Sequence, residues 1–179
     1  MYNGDAMNFE LQKSLEILRQ TPYTLERMLE GLSEDWTASS GDREDWAPYD
    51  VIGHLIHGEE TDWIPRAEII LGQGPKRTFA KYDRLAQFEK GKGKSLQDLL
   101  TEFAHLRSLN LEKVAAWQLT PEQLAWTATH SALGEVSLEQ LLATWTVHDL
   151  NHIRQMVTYM ARKYEQEVGP WKEYLSILQ

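Results

Sequence analysis

Apolar side chains recur three and four residues apart along most of the chain, the period of helices that bury one face. The first run carries Phe9, Leu11, Leu15, Leu18, Leu25, Met28, Leu29 and Leu32, with Asn8 placed to cap it. Pro22 lies inside this run and predicts a kink or a break into two helices. After the polar stretch SSGDREDWAP, Pro48 suits the first turn of a second helix that runs toward Gly72, a natural terminator, with a bend at Pro65. Its apolar face is set by Val51, Ile52, Leu55, Ile56, Trp63 and Ile70. Residues 72–94 form a long connection with four glycines, and KGKGK at 90–94 reads as a solvated turn. Ser95 with Asp98 predicts a capping box for a third helix ending near Leu119, with Leu96, Leu99, Leu100, Phe103, Leu106, Val114 and Trp117 as its core stripe. Thr120-Pro121 opens a short helical or irregular stretch, and HSALGEV reads as a loop. Ser137 with Gln140 predicts a second capping box, opening a fourth helix that ends near Lys163. Gly169-Pro170 separates it from a short C-terminal helix, WKEYLSIL. Strand-type alternation is nearly absent. The expected fold is all-α: a four-helix bundle with a short C-terminal helix, one domain over residues 1–179.

Composition narrows what such a bundle does. A net charge of −9 argues against binding nucleic-acid phosphates or anionic lipid. No apolar run is long enough to span a bilayer, and the start MYNGDAMNFE lacks a signal-peptide pattern, so a cytoplasmic location is expected. The chain has no cysteine, so any metal site must use His and carboxylates.

The segment TWTVHDLNHIRQM (144–156) sharpens the question, because it puts His148 and His152 four residues apart on a largely apolar helix. His152 falls inside the face set by Leu138, Leu142, Trp145, Met156 and Met160, and His148 on its flank. This spacing lets two imidazoles reach one ion, and it equally allows two hydrogen-bonded core histidines. A third ligand has to come from another helix, with His54 and His57 in DVIGHLIHGEETDW as candidates. Periodicity favours His54: it lies about 60° beyond Val51, with the small Gly58 one turn later, whereas His57 points nearly opposite the apolar face. His105 reads as exposed and His130 as a surface or turn residue.

These residues resemble a known family. HDLNHIRQ preceded by GEVSLEQLLATWTV, an upstream W-x-P-x-D-V-x-x-H-L, and the stretches DWIPR, LLTEFAHLRSLNL and VGPWKEYL are similar to the DinB-like superfamily of metal-dependent proteins, in the family's order over most of the chain. The resemblance implies a four-helix bundle with an unusual connection order. It also implies a metal held by one histidine of the second long helix and two of the last, here His54, His148 and His152. The implied cofactor is a divalent ion, zinc or nickel, with open coordination positions suited to catalysis. His57 stands where relatives often carry Asp, and is expected to support the site from behind or to face solvent. Relatives include thiol-dependent S-transferases and described hydrolases, which implies a small-molecule substrate, a low-molecular-weight thiol in the first case, and a homodimer. Surplus apolar residues on the second helix, Ile56, Trp63, Ile64 and Ile69, agree with a partner face.

Arg107 and Asp149 fall on the core faces of their helices, so each needs a partner, and pairing with each other or Arg107 with Asp83 is preferred to catalysis. Asp62 and Arg66 read as an i, i+4 bridge. Glu59 or Glu60 could act as a general base, and nothing in the sequence separates them.

Overall fold

A computed structural model describes residues 8–179 except 43, 75, 76, 82, 84–87, 89 and 90. The part of the predicted 72–94 connection that falls on those positions, Lys90 of KGKGK included, lies outside the described residues. The helices are α1 (Leu11–Leu29), α2 (Glu34–Thr37), α3 (Pro48–Thr61), α4 (Trp63–Gly72), α5 (Leu96–Trp117), α6 (Pro121–Leu124) and α7 (Leu138–Arg162). A hairpin of β1 (Thr127–His130) and β2 (Gly134–Ser137) precedes α7, and two short 3-10 turns, Gly169–Tyr174 and Ser176–Leu178, follow it.

Both predicted capping boxes form: Ser95 accepts from the Asp98 amide and Ser137 from the Gln140 amide, and the partner side chains reach back to the cap amides. Asn8 does not cap α1, because the helix begins three residues later behind Glu10. Pro22 neither breaks nor splits α1. A proline deprives the carbonyl four residues earlier of its helical donor, and here the Arg107 guanidinium donates to that carbonyl, Leu18 O, at 2.9 Å. The second predicted helix does divide, at Asp62 (φ −110°, ψ −73°), three residues before Pro65. It terminates on Gln73 in the left-handed conformation (φ 47°) rather than on Gly72. The hairpin replaces the expected loop. Its four-residue strands carry little apolar alternation, and β1 gains a parallel bridge from the crossover at Thr78. The C-terminal segment winds as 3-10 turns instead of an α-helix.

The core is two clusters. One gathers Leu15 and Leu18 of α1, Trp63 to Ile70 of α4, Val114 of α5, Ala128 of β1 and Leu138 to Trp145 of α7. The other gathers Leu25 and Leu29 of α1, Val51 to Ile56 of α3, Leu99 to Phe103 of α5 and Met156 of α7. The order of membership sets the directions: α1 runs with α7, and α3–α4 runs with α5 in the opposite sense. Two consecutive parallel elements require a crossover along the bundle, which is the structural reason for the long chain between Gly72 and Leu96. Between the clusters α3, α5 and α7 turn polar on their inward sides. Buried there are His54, His57 and Glu59 of α3, Arg107 and Asn110 of α5, and Asp149 and His152 of α7.

Candidate metal centre

His54, His148 and His152 meet in this polar layer, as the sequence predicts. Their ligand atoms all lie within 4.8 Å of one another. His148 Nε2 is 3.1 Å from His54 Nε2 and 3.1 Å from His152 Nε2. His54 and His152 are each 7% exposed, and His148 is half-buried. The i, i+4 step on α7 brings the His148 and His152 ring centroids to 4.3 Å, and α3 supplies His54 from the facing helix.

The contacts do not close as hydrogen bonds. His148 Nε2 carries either one proton or one lone pair, so it satisfies one of its two Nε2 neighbours and not both. His148 Nδ1 is buried with no hydrogen-bond partner. His152 Nδ1 lies 2.8 Å from Gln155 Oε1; the amide oxygen can only accept, so the imidazole donates from Nδ1 and Nε2 keeps its lone pair toward the cluster. Burial pushes the His148 pKa down to about 2, reinforced by His152, His54 and Arg107. Burial also lowers the His152 pKa, against the opposing pull of Gln155 and Asp149. Both effects favour neutral imidazoles. Nitrogen ligands about 2.0–2.1 Å from one ion, at angles between octahedral and tetrahedral, stand about 2.9–3.4 Å apart. The two 3.1 Å separations fit that requirement.

Aromatic rings wall the cluster. Trp46, half-buried in the loop before α3, is tilted against His54 at 5.0 Å and lies nearly parallel to His152 at 6.4 Å. Trp63 meets His148 edge-to-face at 5.0 Å and stacks on Trp145 at 5.8 Å. A Cβ at position 58 would sit 3.2 Å from Trp63 Nε1, so the space beside Gly58 holds this indole.

Next to the histidines lies a second cluster. Arg107 donates to Glu59 Oε1 from Nε at 3.0 Å and Nη2 at 2.7 Å, and to Asp149 from Nη1 at 2.6 Å and Nη2 at 3.0 Å. Trp145 Nε1 donates to Glu59 Oε1 at 3.1 Å, and Asn110 Nδ2 to Glu59 Oε2 at 2.9 Å. Burial opposes the charge on Arg107, yet the two carboxylates outweigh it and raise its pKa above the ordinary value. The predicted Arg107–Asp149 pair therefore exists, and Glu59, not Asp83, is the other partner. Glu59 is committed to these bonds and Glu60 is exposed, which removes Glu59 as a free general base.

His57 is 5% exposed, so it does not face solvent: α3 is buried on every side from Val51 to Glu59, and a single apolar stripe misjudges a central helix. Asp62 and Arg66 do pair, at 2.6 Å, but mostly buried and across the break between α3 and α4. Burial raises the Asp62 pKa, against Arg66 and His130. His105 is exposed, and His130 serves the hairpin turn, where Nδ1 accepts from the amides of Ala132 and Leu133. Sequence reasoning missed Asn110, Gln155 and Trp46. Asn110 lies three residues after Arg107 on the same stripe, and Gln155 one turn after His152.

The chain matches the family model of the DinB superfamily over residues 17–156 and belongs to that superfamily. Its fold is similar to that of YfiT from Bacillus subtilis, described as "a probable metal-dependent hydrolase with an unusual four-helix bundle topology", with a TM-score of 0.73 and 17% identity over 91% of this chain and 93% of that one. At that identity the likeness establishes the fold. No curated protein matches the chain.

Proposed function

We propose that the protein is a divalent-metal enzyme acting on a small molecule, with His54, His148 and His152 as the ligands and zinc or nickel as the ion. The observation that carries this reading is the convergence of three Nε2 atoms whose mutual contacts cannot all be hydrogen bonds. A divalent ion on three neutral imidazoles keeps its full charge and open positions, and there lowers the pKa of a bound thiol or water. The chain's own contribution is orientation and desolvation. Gln155 holds the His152 tautomer, and Trp46 and Trp63 keep bulk water from the imidazoles. Thiol-dependent S-transfer is the leading reaction, with the thiol as cosubstrate because the chain has no cysteine. Hydrolysis is the second, favoured by the description of YfiT.

The test has two stages. Zinc or nickel raises the melting temperature of the wild-type protein, and His54→Ala, His148→Ala and His152→Ala each abolish that rise with helix content retained. Wild-type metal content in all three variants would falsify the ligand set. The metal-loaded protein then consumes monochlorobimane in the presence of a small thiol, or hydrolyses an ester or amide panel; neither activity would leave a binding bundle.

A homodimer is part of this proposal, with a changed surface. Ile56, Trp63 and Ile64 are buried inside the bundle and the half-buried Ile69 packs against its core, so they offer no partner face. Val147 and Leu150, 63% and 48% exposed on the outer side of α7, are among the exposed apolar residues and are the face proposed instead. Light scattering should give twice the 20.7 kDa chain mass, reverting to a monomer in Leu150→Glu.

A further inference from the structure

We propose that the Glu59–Arg107–Asp149 cluster is the counter-charge of the metal centre: its one uncompensated negative charge helps hold the divalent ion among the three histidines. The inference rests on the metal reading above and adds a role for residues that do not touch the ion. Two carboxylates face one guanidinium, and the three residues are 2%, 0% and 1% exposed for Glu59, Asp149 and Arg107. Every bond to the four carboxylate oxygens comes from an N–H donor, which is the pattern of two carboxylates. Among the described residues, Arg107 is the only cation bonded to either acid. One negative charge is therefore left in the interior, where an unbalanced charge is strongly disfavoured.

The neighbouring site has the opposite imbalance. Imidazoles are neutral ligands, so a divalent ion there brings two positive charges without a ligand to offset them. Three connections join the sites. Asp149 follows His148 directly and precedes His152 by one turn of α7. Glu59 lies five residues beyond His54 on α3. Trp145, which donates to Glu59, stacks on Trp63, which meets His148 edge-to-face. In a poorly solvated interior, opposite charges attract far more strongly than in water.

Glu59→Gln and Asp149→Asn remove the charge at nearly constant shape, whereas Asn110→Ala removes a neutral bond to Glu59. Zinc affinity, from competition with a chelator, and melting temperature with and without zinc are measured for each. Both acid variants should lose at least tenfold in zinc affinity and show a narrowed zinc-dependent gap in melting temperature. Asn110→Ala should lower both melting temperatures together and leave the gap as in wild type. Wild-type affinity and gap in the acid variants overturn the proposal. So does an equal affinity loss in Asn110→Ala, which would make the effect one of packing. Should one acid variant fail to fold, the other decides. A wild-type protein with no zinc- or nickel-dependent gap is a different failure, that of the metal reading itself.

Discussion

The two polar clusters of the middle layer both draw on α3 and α7 but differ in how their hydrogen bonds close. Around Arg107 every donor finds an acceptor, and the bonds tie Leu18 of α1, Glu59 of α3 and Asp149 of α7 to α5. Around His148 three ring nitrogens crowd together, and Nδ1 has no partner. Folding alone completes the first cluster. The second is arranged as if for a species from outside the chain. The first cluster is saturated by the chain's own groups; in the second, His148 Nδ1 is left without a hydrogen bond, and the reading proposed above assigns the crowded Nε2 atoms to a metal ion.

Three experiments sharpen this contrast. Removing Arg107 should have the largest effect, because it strands two buried carboxylates: Arg107→Ala should cost about 3–5 kcal/mol, on the order of 10 °C in melting temperature. A cost under about 1 kcal/mol in denaturant titration would mean that the network does not hold the helices together. Acidifying the metal-free protein should come next. The folded-state pKa of His148 is depressed to about 2 and that of His152 is also lowered, so below the ordinary imidazole value the unfolded chain binds protons that the folded chain does not. Stability is therefore fully present above pH of about 6.5 and falls as the pH drops below it, by at most about 1.4 kcal/mol per pH unit for each histidine. His148→Ala should flatten the curve of stability against pH; an equally steep curve in that variant would show that His148 does not resist protonation. Gln155→Ala should have the smallest effect, a ten- to hundredfold weaker metal affinity through the loss of the His152 tautomer lock, with metal-free stability changed by about 1 kcal/mol or less. Unchanged affinity would reduce Gln155 to a surface contact.

Much of this was legible in the sequence. The 3.6-residue period and two capping boxes locate the long helices, and the i, i+4 histidines with His54 locate the cluster, because a polar residue on an apolar face stands out. What stayed hidden depends on tertiary contact. Glu59 and Glu60 differ by one helical step, and only the arrival of Arg107 distinguishes them. His57 reads as outward because periodicity assumes one buried face, while α3 is enclosed by its neighbours. The hairpin is too short to show alternation, and its pairing with Thr78 is non-local.

The bond from Arg107 to the Leu18 carbonyl has an evolutionary consequence. As long as Pro22 stands in α1, that carbonyl depends on a side chain 89 residues away in sequence. Replacing Pro22 by Ala first restores a local amide donor, and the later loss of Arg107 then strands two groups rather than three. The two substitutions are therefore epistatic. Arg107→Ala should be milder in the Pro22→Ala background, by about 1–3 kcal/mol, the usual cost of an unpaired buried polar group. Mutational paths that alter the proline before the arginine are the more open ones, and lineages that have lost the arginine should be found without the proline.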